Sequence, residues 1–338
     1  MAEQEPERAE FGQVIKLPAF DLPFPSDIHP SKESVIEHTS RWAVATGLVR
    51  DQEAAERLRR NGIMHAGPRL APAASMDAAC LTCDWTVFLI VIDDEFDDGA
   101  ELGVRPDLAR VAIEDVIAAF RGEASGRATS YPPMAGISAA AAELGRRFAA
   151  ESPSLAWLAR FRHHAEAHIW SKVSEAEHRA AAGFLDVPSY VALRRVTSAA
   201  YTYTDLVELV AGAVITEWVQ DSPAWGRMLD AAADAWLGIQ DICSCAKEVS
   251  AGDDLNLAAV MAHSSGSTIQ QGIDDAYRWV RGRSGDIATH RAQLDLGLGS
   301  GGETDMARYL NGLGHLLGGH LAWSSQDNPR YAQVISSI

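Results

Sequence analysis

Along most of this chain apolar positions recur at spacings of three and four, the period that lines one face of an α-helix. Val35, His38, Trp42, Ala45 and Leu48 mark the first such face after Ser34, and the pattern predicts a second helix over residues 52–61. Pro68 and Pro72 interrupt it, and Ser75 then stands where an N-cap belongs. The densest apolar stretch follows, Trp85-Thr86-Val87-Phe88-Leu89-Ile90-Val91-Ile92, with no interior Gly or Pro. Set among long helical patterns, it predicts a buried helix. Further helices are predicted over residues 106–120 and 137–150, and from the Ser152-Pro153 start signal to about 182. Others cover 189–213 behind Asp186 and Pro188, 222–248 behind Ser222-Pro223, 256–263, 267–294 and 303–323. Residues 121–134 read as a loop and not as a domain boundary, because the same pattern resumes on both sides. Residues 1–33, with Pro18, Pro23, Pro25 and Pro30, read as an irregular arm lying over the domain. There is no convincing strand pattern and no internal repeat. The expectation is an all-α fold and one domain over 1–338, with an N-terminal arm at 1–33 and a C-terminal tail at 324–338.

Composition narrows the function. The chain has 338 residues, is 47% hydrophobic and carries a formal charge of −17, which argues against nucleic acid and anionic membrane surfaces as partners. No apolar run reaches membrane-spanning length. The acidic N-terminus lacks the apolar region of a signal peptide, so a cytoplasmic protein is expected. The four cysteines, Cys80, Cys83, Cys243 and Cys245, fall inside helical patterns with no turn between pair members, which favours buried free thiols over zinc. His163, His164 and His168 share a helix with Glu166, but the His-Glu-x-x-His order is missing, so they read as a polar helix face. Gly297 to Gly302 matches Gly-x-Gly-x-x-Gly in letters; no strand precedes it, and it reads as a loop.

Two polar clusters carry chemistry. Asp93, Asp94, Glu95, Asp97 and Asp98 close the apolar run. On a helix, Asp93 and Asp97 are i,i+4 and Asp94 and Asp97 are i,i+3, so like charges crowd one another at the end the helix dipole already makes negative. Either this is a solvated acidic helix end, or the oxygens hold a hard divalent cation, most simply Mg²⁺ carrying a phosphate ligand. The second cluster is Gln240, Ser244 and Glu248, successive i,i+4 steps that set an amide, a hydroxyl and a carboxylate in one stripe, with Lys247 beside it. Such an all-oxygen set suits a further Mg²⁺.

Together these motifs resemble those of the bacterial class I terpene synthases. Asp93, Asp94 and Asp97 resemble the family's Asp-Asp-x-x-Asp motif, and Gln240, Asp241, Ser244, Lys247 and Glu248 its Asn-Asp-x-x-Ser-x-x-Lys-Glu motif. The resemblance spans nearly the full chain and implies a class I terpenoid synthase α-helical bundle. It implies metal ligands at Asp93, Asp94, Asp97, Gln240, Ser244 and Glu248, three Mg²⁺ ions, and a diphosphate-sensing Arg194, which lies 46 positions ahead of Gln240. Thr197 and Ser198 would be the linker and effector positions at a helix break that presents a carbonyl to the substrate. Lys247, Arg330 and Tyr331 would also bind diphosphate, and the tail would cap the active site. The implied activity is metal-dependent ionisation of a prenyl diphosphate, farnesyl diphosphate first, with cyclisation to a sesquiterpene and release of diphosphate. Geranyl and geranylgeranyl diphosphate are the alternative substrates. The expected assembly is a monomer or homodimer.

Two departures stand out. Gln240 replaces the family's Asn and adds a methylene. Leu89 and Ile90 replace an aromatic turn, so cation stabilisation has to come from among Trp85, Phe88, Phe96, Tyr201, Tyr203 and Trp323. Phe88, Leu89 and Trp323 are the expected pocket wall. Two other classes compete. A prenyl-chain elongase would need a second Asp-rich motif, for which Asp253-Asp254-Leu255-Asn256 stops short. A non-catalytic helical protein would carry both clusters as solvated faces.

Overall fold

The computed structural model of the chain describes residues 15–96, 101–123, 131–181, 183–295 and 303–332. Asp97, Asp98 and the Gly-rich stretch 297–302 lie outside them. Among the described residues every regular element is helical, as the hydrophobic period predicts. In chain order they are α1 (Lys32–Ala45), α2 (Gln52–Arg60), α3 (Ala66–Leu70), α4 (Met76–Asp94), α5 (Glu101–Val104), α6 (Pro106–Arg121), α7 (Ala135–Glu151) and α8 (Leu155–Ala181). The second half holds α9 (Val187–Thr197), α10 (Ala200–Ala211), α11 (Glu217–Gln220), α12 (Pro223–Ala251), α13 (Leu257–Ser265), α14 (Ile269–Asp295), α15 (Glu303–Ala322) and α16 (Pro329–Ala332). A π-type turn, Trp323–Asp327, joins α15 to α16. No helix of the described residues is long and apolar enough to cross a membrane.

The strongest apolar run becomes the central helix. Every residue of α4 from Ala78 to Leu89 is buried, and Ser75 caps it, accepting the Ala78 N–H at 3.2 Å. On one side Trp85 meets Phe88, Phe120, Phe148 and Phe161, with ring centroids 5.5–6.0 Å apart. Such aromatic packing buries large areas and fixes how α4 sits against α6, α7 and α8. The other long buried helix, α12, lies against α14. The two approach closely because residue 238 is Gly: a Cβ there would stand 2.4 Å from Val280 Cγ2. All four cysteines are buried free thiols.

Two local expectations shift. The predicted helix over 189–213 is two helices, α9 and α10, broken at Ser198 and Ala199. Ala199 has φ = 58°, the left-handed region that a non-glycine residue enters at a cost. The break ends one helix and starts another because the Ala199 carbonyl accepts the Thr202 and Tyr203 N–H groups. The cap of α8 is Ser154, whose Oγ accepts the Trp157 N–H at 3.0 Å, and not Ser152. The described part of the arm crosses α14 and α15. The Asp21 N–H donates to the Tyr277 hydroxyl at 2.7 Å, and Phe20 stands edge-on to the Tyr277 ring. Gly318 makes room on α15, since a Cβ there would meet the Pro25 carbonyl oxygen at 2.0 Å.

Candidate functional site

Inside the helices a cavity is lined from α3, α4, α8, α9, α10, α12, α15 and the C-terminal segment. Its α4 side carries Asp93 and Asp94 above Thr86, Leu89 and Ile90. A helix C-terminus concentrates carbonyl dipoles, so two carboxylates there need cations. Two arrive from distant sequence. Lys172 on α8, only 1% exposed, donates from Nζ to Asp93 Oδ1 and to Glu175 Oε2, the latter at 2.7 Å. Arg330 on α16 donates to Asp94 Oδ1 at 2.7 Å, which pins the C-terminal segment over the α4 end. Burial alone would push the Asp93 carboxyl up, but the Lys172 ammonium, with Arg194 and His168 behind it, holds it low. Its side chain still keeps 44% of its surface open, toward the cavity it lines.

The facing side is α12. Gln240, Lys247 and Glu248 line the cavity. Ser244, expected as a ligand in the same stripe, is buried just behind that lining, and its hydroxyl donates to the Gln240 carbonyl at 2.9 Å. Asp241 points the other way and organises the surroundings. Its Oδ1 accepts from Arg194 Nε at 3.0 Å and from Arg194 Nη2 at 2.9 Å. Its Oδ2 accepts from the Tyr190 hydroxyl at 2.5 Å and from the Leu257 N–H at 3.0 Å. Asn256 closes the knot, donating to the Asp241 carbonyl and to Glu248 Oε2, both at 2.7 Å. Arg194 is thereby held, fully charged, at the cavity wall, because the charge of Asp241 outweighs the cost of its burial. Burial and the nearby charge of Asp241 push the Glu248 carboxyl up, only partly offset by Arg194, Asn256 and Ser244. Glu248 is thus a carboxylate with less positive charge around it than it needs.

Thr197 and Ser198, at the break between α9 and α10, line the same cavity as Arg194. The Ser198 carbonyl accepts the Trp236 indole N–H at 3.1 Å. Arg330, Tyr331 and Trp323 close the cavity from the C-terminal side. Leu89 lines it as expected, but Phe88 does not. Phe88 is fully buried and stacked on Trp85 in the core, because it projects from α4 away from the cavity. Trp85, Phe96 and Tyr201 are likewise absent from the lining, whereas Tyr203 and Trp323 belong to it. Tyr201 instead donates its hydroxyl to Asp230 at 2.7 Å.

Sequence reasoning missed several lining residues: Trp236, His320, His168, Glu175 and Arg179. Lys172, behind them, was missed too. Only the helix of His163, His164 and His168 had drawn notice, as a polar face. That description suits exposed His163 and fails for buried His168. For Trp236, the only sequence signal is its position one helical turn before Gln240, on the stripe that carries Ser244 and Glu248.

Among the described residues, no three His, Cys, Asp or Glu side chains gather closely enough to hold an ion by themselves. Carboxylates of α4 instead face an amide and a carboxylate of α12, with cationic side chains between. Oxygen donors in ones and twos, completed by phosphate oxygens, are how Mg²⁺ is commonly held in enzymes. The undercompensated Glu248 fits a cation, and Arg194, Lys247 and Arg330 fit an anion carried with it.

The comparisons agree with this geometry. The family model "Terpene synthase family 2, C-terminal metal binding" matches residues 84–283. Pentalenene synthase from Streptomyces avermitilis is 31% identical over 271 residues, covering 78% of this chain and 73% of its own. (+)-Eremophilene synthase from Sorangium cellulosum is 26% identical over 322 residues and covers 94% of both chains. Among solved structures, a-eudesmol synthase superposes with a TM-score of 0.77 at 24% identity, over 90% of this chain and 98% of that one.

Proposed function

The chain belongs to terpene synthase family 2, and from that premise we propose that it ionises farnesyl diphosphate and cyclises the resulting cation to a sesquiterpene, working as one domain. The family is a metal-binding one. The metal here would be Mg²⁺, three ions in the loaded state, held by Asp93, Asp94 and Asp97 on one side and by Gln240 and Glu248 on the other; Ser244, behind the lining, would join them by turning its hydroxyl from the Gln240 carbonyl. When bound the metal supplies charge neutralisation for the departing diphosphate. Arg194, Lys247, Arg330 and Tyr331 donate hydrogen bonds to the diphosphate oxygens, the strong charge-assisted kind where the donor is Arg or Lys. Thr197 and Ser198 place the α9–α10 break beside the reacting carbon. The Arg330–Asp94 pair and Trp323 keep bulk water out. The faces of Tyr203 and Trp323 stabilise the migrating positive charge.

The observation that carries this reading is the meeting of the α4 carboxylates, the α12 stripe and Arg194 in one cavity. Farnesyl diphosphate is favoured because two related enzymes, 7-epi-alpha-eudesmol synthase and 4-epi-cubebol synthase, carry farnesyl diphosphate cyclisation in their names. The test is incubation with geranyl, farnesyl and geranylgeranyl diphosphate, each with Mg²⁺ and with a chelator, and identification of volatiles by mass spectrometry. A fifteen-carbon product from farnesyl diphosphate, lost on chelation, is expected; no product from any of the three refutes the proposal.

A further inference from the structure

The C-terminal segment brings Trp323, Asn328, Arg330 and Tyr331 to the cavity wall, and its two ends are held in different ways. At the tip Arg330 bonds Asp94, a carboxylate that lines the cavity and that the proposed function gives to a metal ion. That bond has to be given up or shared when ions load, so it does not by itself place the segment in the working state. The root is held outside the cavity. Trp323 donates its indole N–H to the Gly62 carbonyl at 2.8 Å. Gly62 is left-handed, with φ = 73°, and a Cβ there would stand 2.0 Å from the Asp327 carbonyl oxygen. Glycine is what lets the π-type turn lie on this backbone.

The Asp327 side chain meets Arg69 of α3 in a two-pronged pair. Arg69 Nε donates to Oδ2 at 2.7 Å and Nη2 to Oδ1 at 3.3 Å. Such a fork fixes direction as well as distance. The two side chains are 18% and 20% exposed, so the pair is partly shielded from water. Other segments converge on Arg69. Its Nη1 donates to Ser26 Oγ of the N-terminal arm at 3.3 Å. Its carbonyl lies against Gly319 of α15, where a Cβ would come within 2.1 Å. Arg69 is absent from the cavity lining, although Ala66 and Leu70 of the same helix belong to it. Arg330 follows Asp327 by three positions, and Asn328 Oδ1 accepts the Arg330 N–H at 3.1 Å. The path from the anchor to the tip is therefore short and stiff.

The geometry points to Arg69 as a positioning residue for the C-terminal cap: its fork to Asp327, braced by α15 and the arm, sets where Arg330 and Tyr331 stand when ions and diphosphate bind. What the cap grips rests on the cyclase reading; how it is held rests on the ion pair alone. A cap that is in place only part of the time weakens apparent binding by that fraction, while a saturating ligand still draws it closed. Loss of the anchor therefore shows in affinity before it shows in saturated turnover.

The experiment compares the wild type with Arg69→Met and Asp327→Asn in the full chain. Hydrogen exchange of the ligand-free proteins reads the anchor: residues 323–332 should exchange faster in both variants, with α4 and α12 unchanged. Calorimetry with Mg²⁺ and inorganic diphosphate should show binding weakened about tenfold, the loss expected for a cap seated a tenth of the time. The KM for farnesyl diphosphate should rise by the same factor, while kcat stays within about twofold. Arg69→Lys, which keeps the charge but not the fork, should fall between. A merely structural Arg69 would instead lower the melting point and the active fraction and leave KM and diphosphate affinity unchanged, and that result overturns the inference. Unchanged exchange at 323–332 in both variants overturns it too. If the wild type turns over no prenyl diphosphate, the cyclase reading falls, and exchange with inorganic diphosphate binding still decides the role of Arg69.

Discussion

Asp84 and Asp93 lie on the same helix, about two and a half turns apart, and the fold treats them in opposite ways. Asp84 is fully buried and closed on every side by donors: Thr39 Oγ1 at 2.6 Å, Arg147 Nη1 at 2.6 Å and His38 Nε2 at 3.1 Å. Asp93 has one buried cation, Lys172, which it shares with Glu175, and keeps an open side toward the cavity. A buried carboxylate closed in by three donors has little left to offer a ligand. One held low by a single ammonium, yet open, is ionised and available. The difference separates structural charge from working charge on one helix, and it predicts which substitution harms folding and which harms turnover.

The sharpest break in the comparison is Asp93→Ala. Product formation should fall at least about a hundredfold, the order seen when one preorganised stabiliser of leaving-group charge is lost. The protein should still fold and lose less stability than Asp84→Ala does, because the buried Lys172 keeps Glu175 as a partner at 2.7 Å. Initial rates and a thermal melt on one preparation check it; near-normal turnover would refute the assignment of Asp93. Asp84→Ala should do the reverse. It leaves the half-buried Arg147 with only Glu143, at 3.6 Å, and breaking such a buried pair costs about 3–5 kcal/mol. A denaturant titration should show that loss, while the surviving folded protein, assayed cold, keeps its product profile.

Lys172→Met comes next and sharpens the comparison by altering the neighbour of Asp93 alone. Asp93 and Glu175 then face each other with no ammonium between them. Without metal the variant should melt several degrees lower than the wild type, and Mg²⁺ should raise its melting point by more than it raises the wild type's. An equal Mg²⁺ response in both proteins would mean that Lys172 and the metal do not serve the same carboxylate.

These contrasts also show what was readable from sequence. The helices that build the cavity follow from the hydrophobic period, and the two oxygen clusters from i,i+4 spacing on α4 and α12, because both signals are local. Lys172 was not readable. In sequence it is an ordinary Lys three residues before a Glu, a pairing that usually lies on a surface, and only tertiary packing puts it at 1% exposure beside Asp93. His168, Trp236 and His320 share that fate, since which face of a long helix meets the cavity depends on how α8, α12 and α15 cross. Phe88 shows the same limit from the other side. It lies next to Leu89 in sequence, yet successive helical positions diverge by about 100°, so one enters the core and the other the cavity.

The smallest expected effect concerns Gln240, on the face opposite Asp93. The neighbouring framework is fixed by bonds that do not involve the Gln240 side chain: Ser244 holds the Gln240 backbone carbonyl, and Asp241 anchors Arg194, Tyr190 and the start of α13. Shortening the side chain by one methylene in Gln240→Asn therefore leaves α12 where it is and draws the amide oxygen back from the space it reaches now. Stability should stay within about 0.5 kcal/mol, the usual range for a substitution that touches no packed or paired group. The half-saturating Mg²⁺ concentration should rise several-fold, because the ion loses reach to one donor while Glu248 and its Asn256 support remain. A Mg²⁺ titration of initial rate checks it. If Gln240→Asn binds Mg²⁺ more tightly than the wild type, the added methylene is a handicap that the surrounding fold does not offset, and the α12 side is less well fitted to its residues than the α4 side is to Asp93.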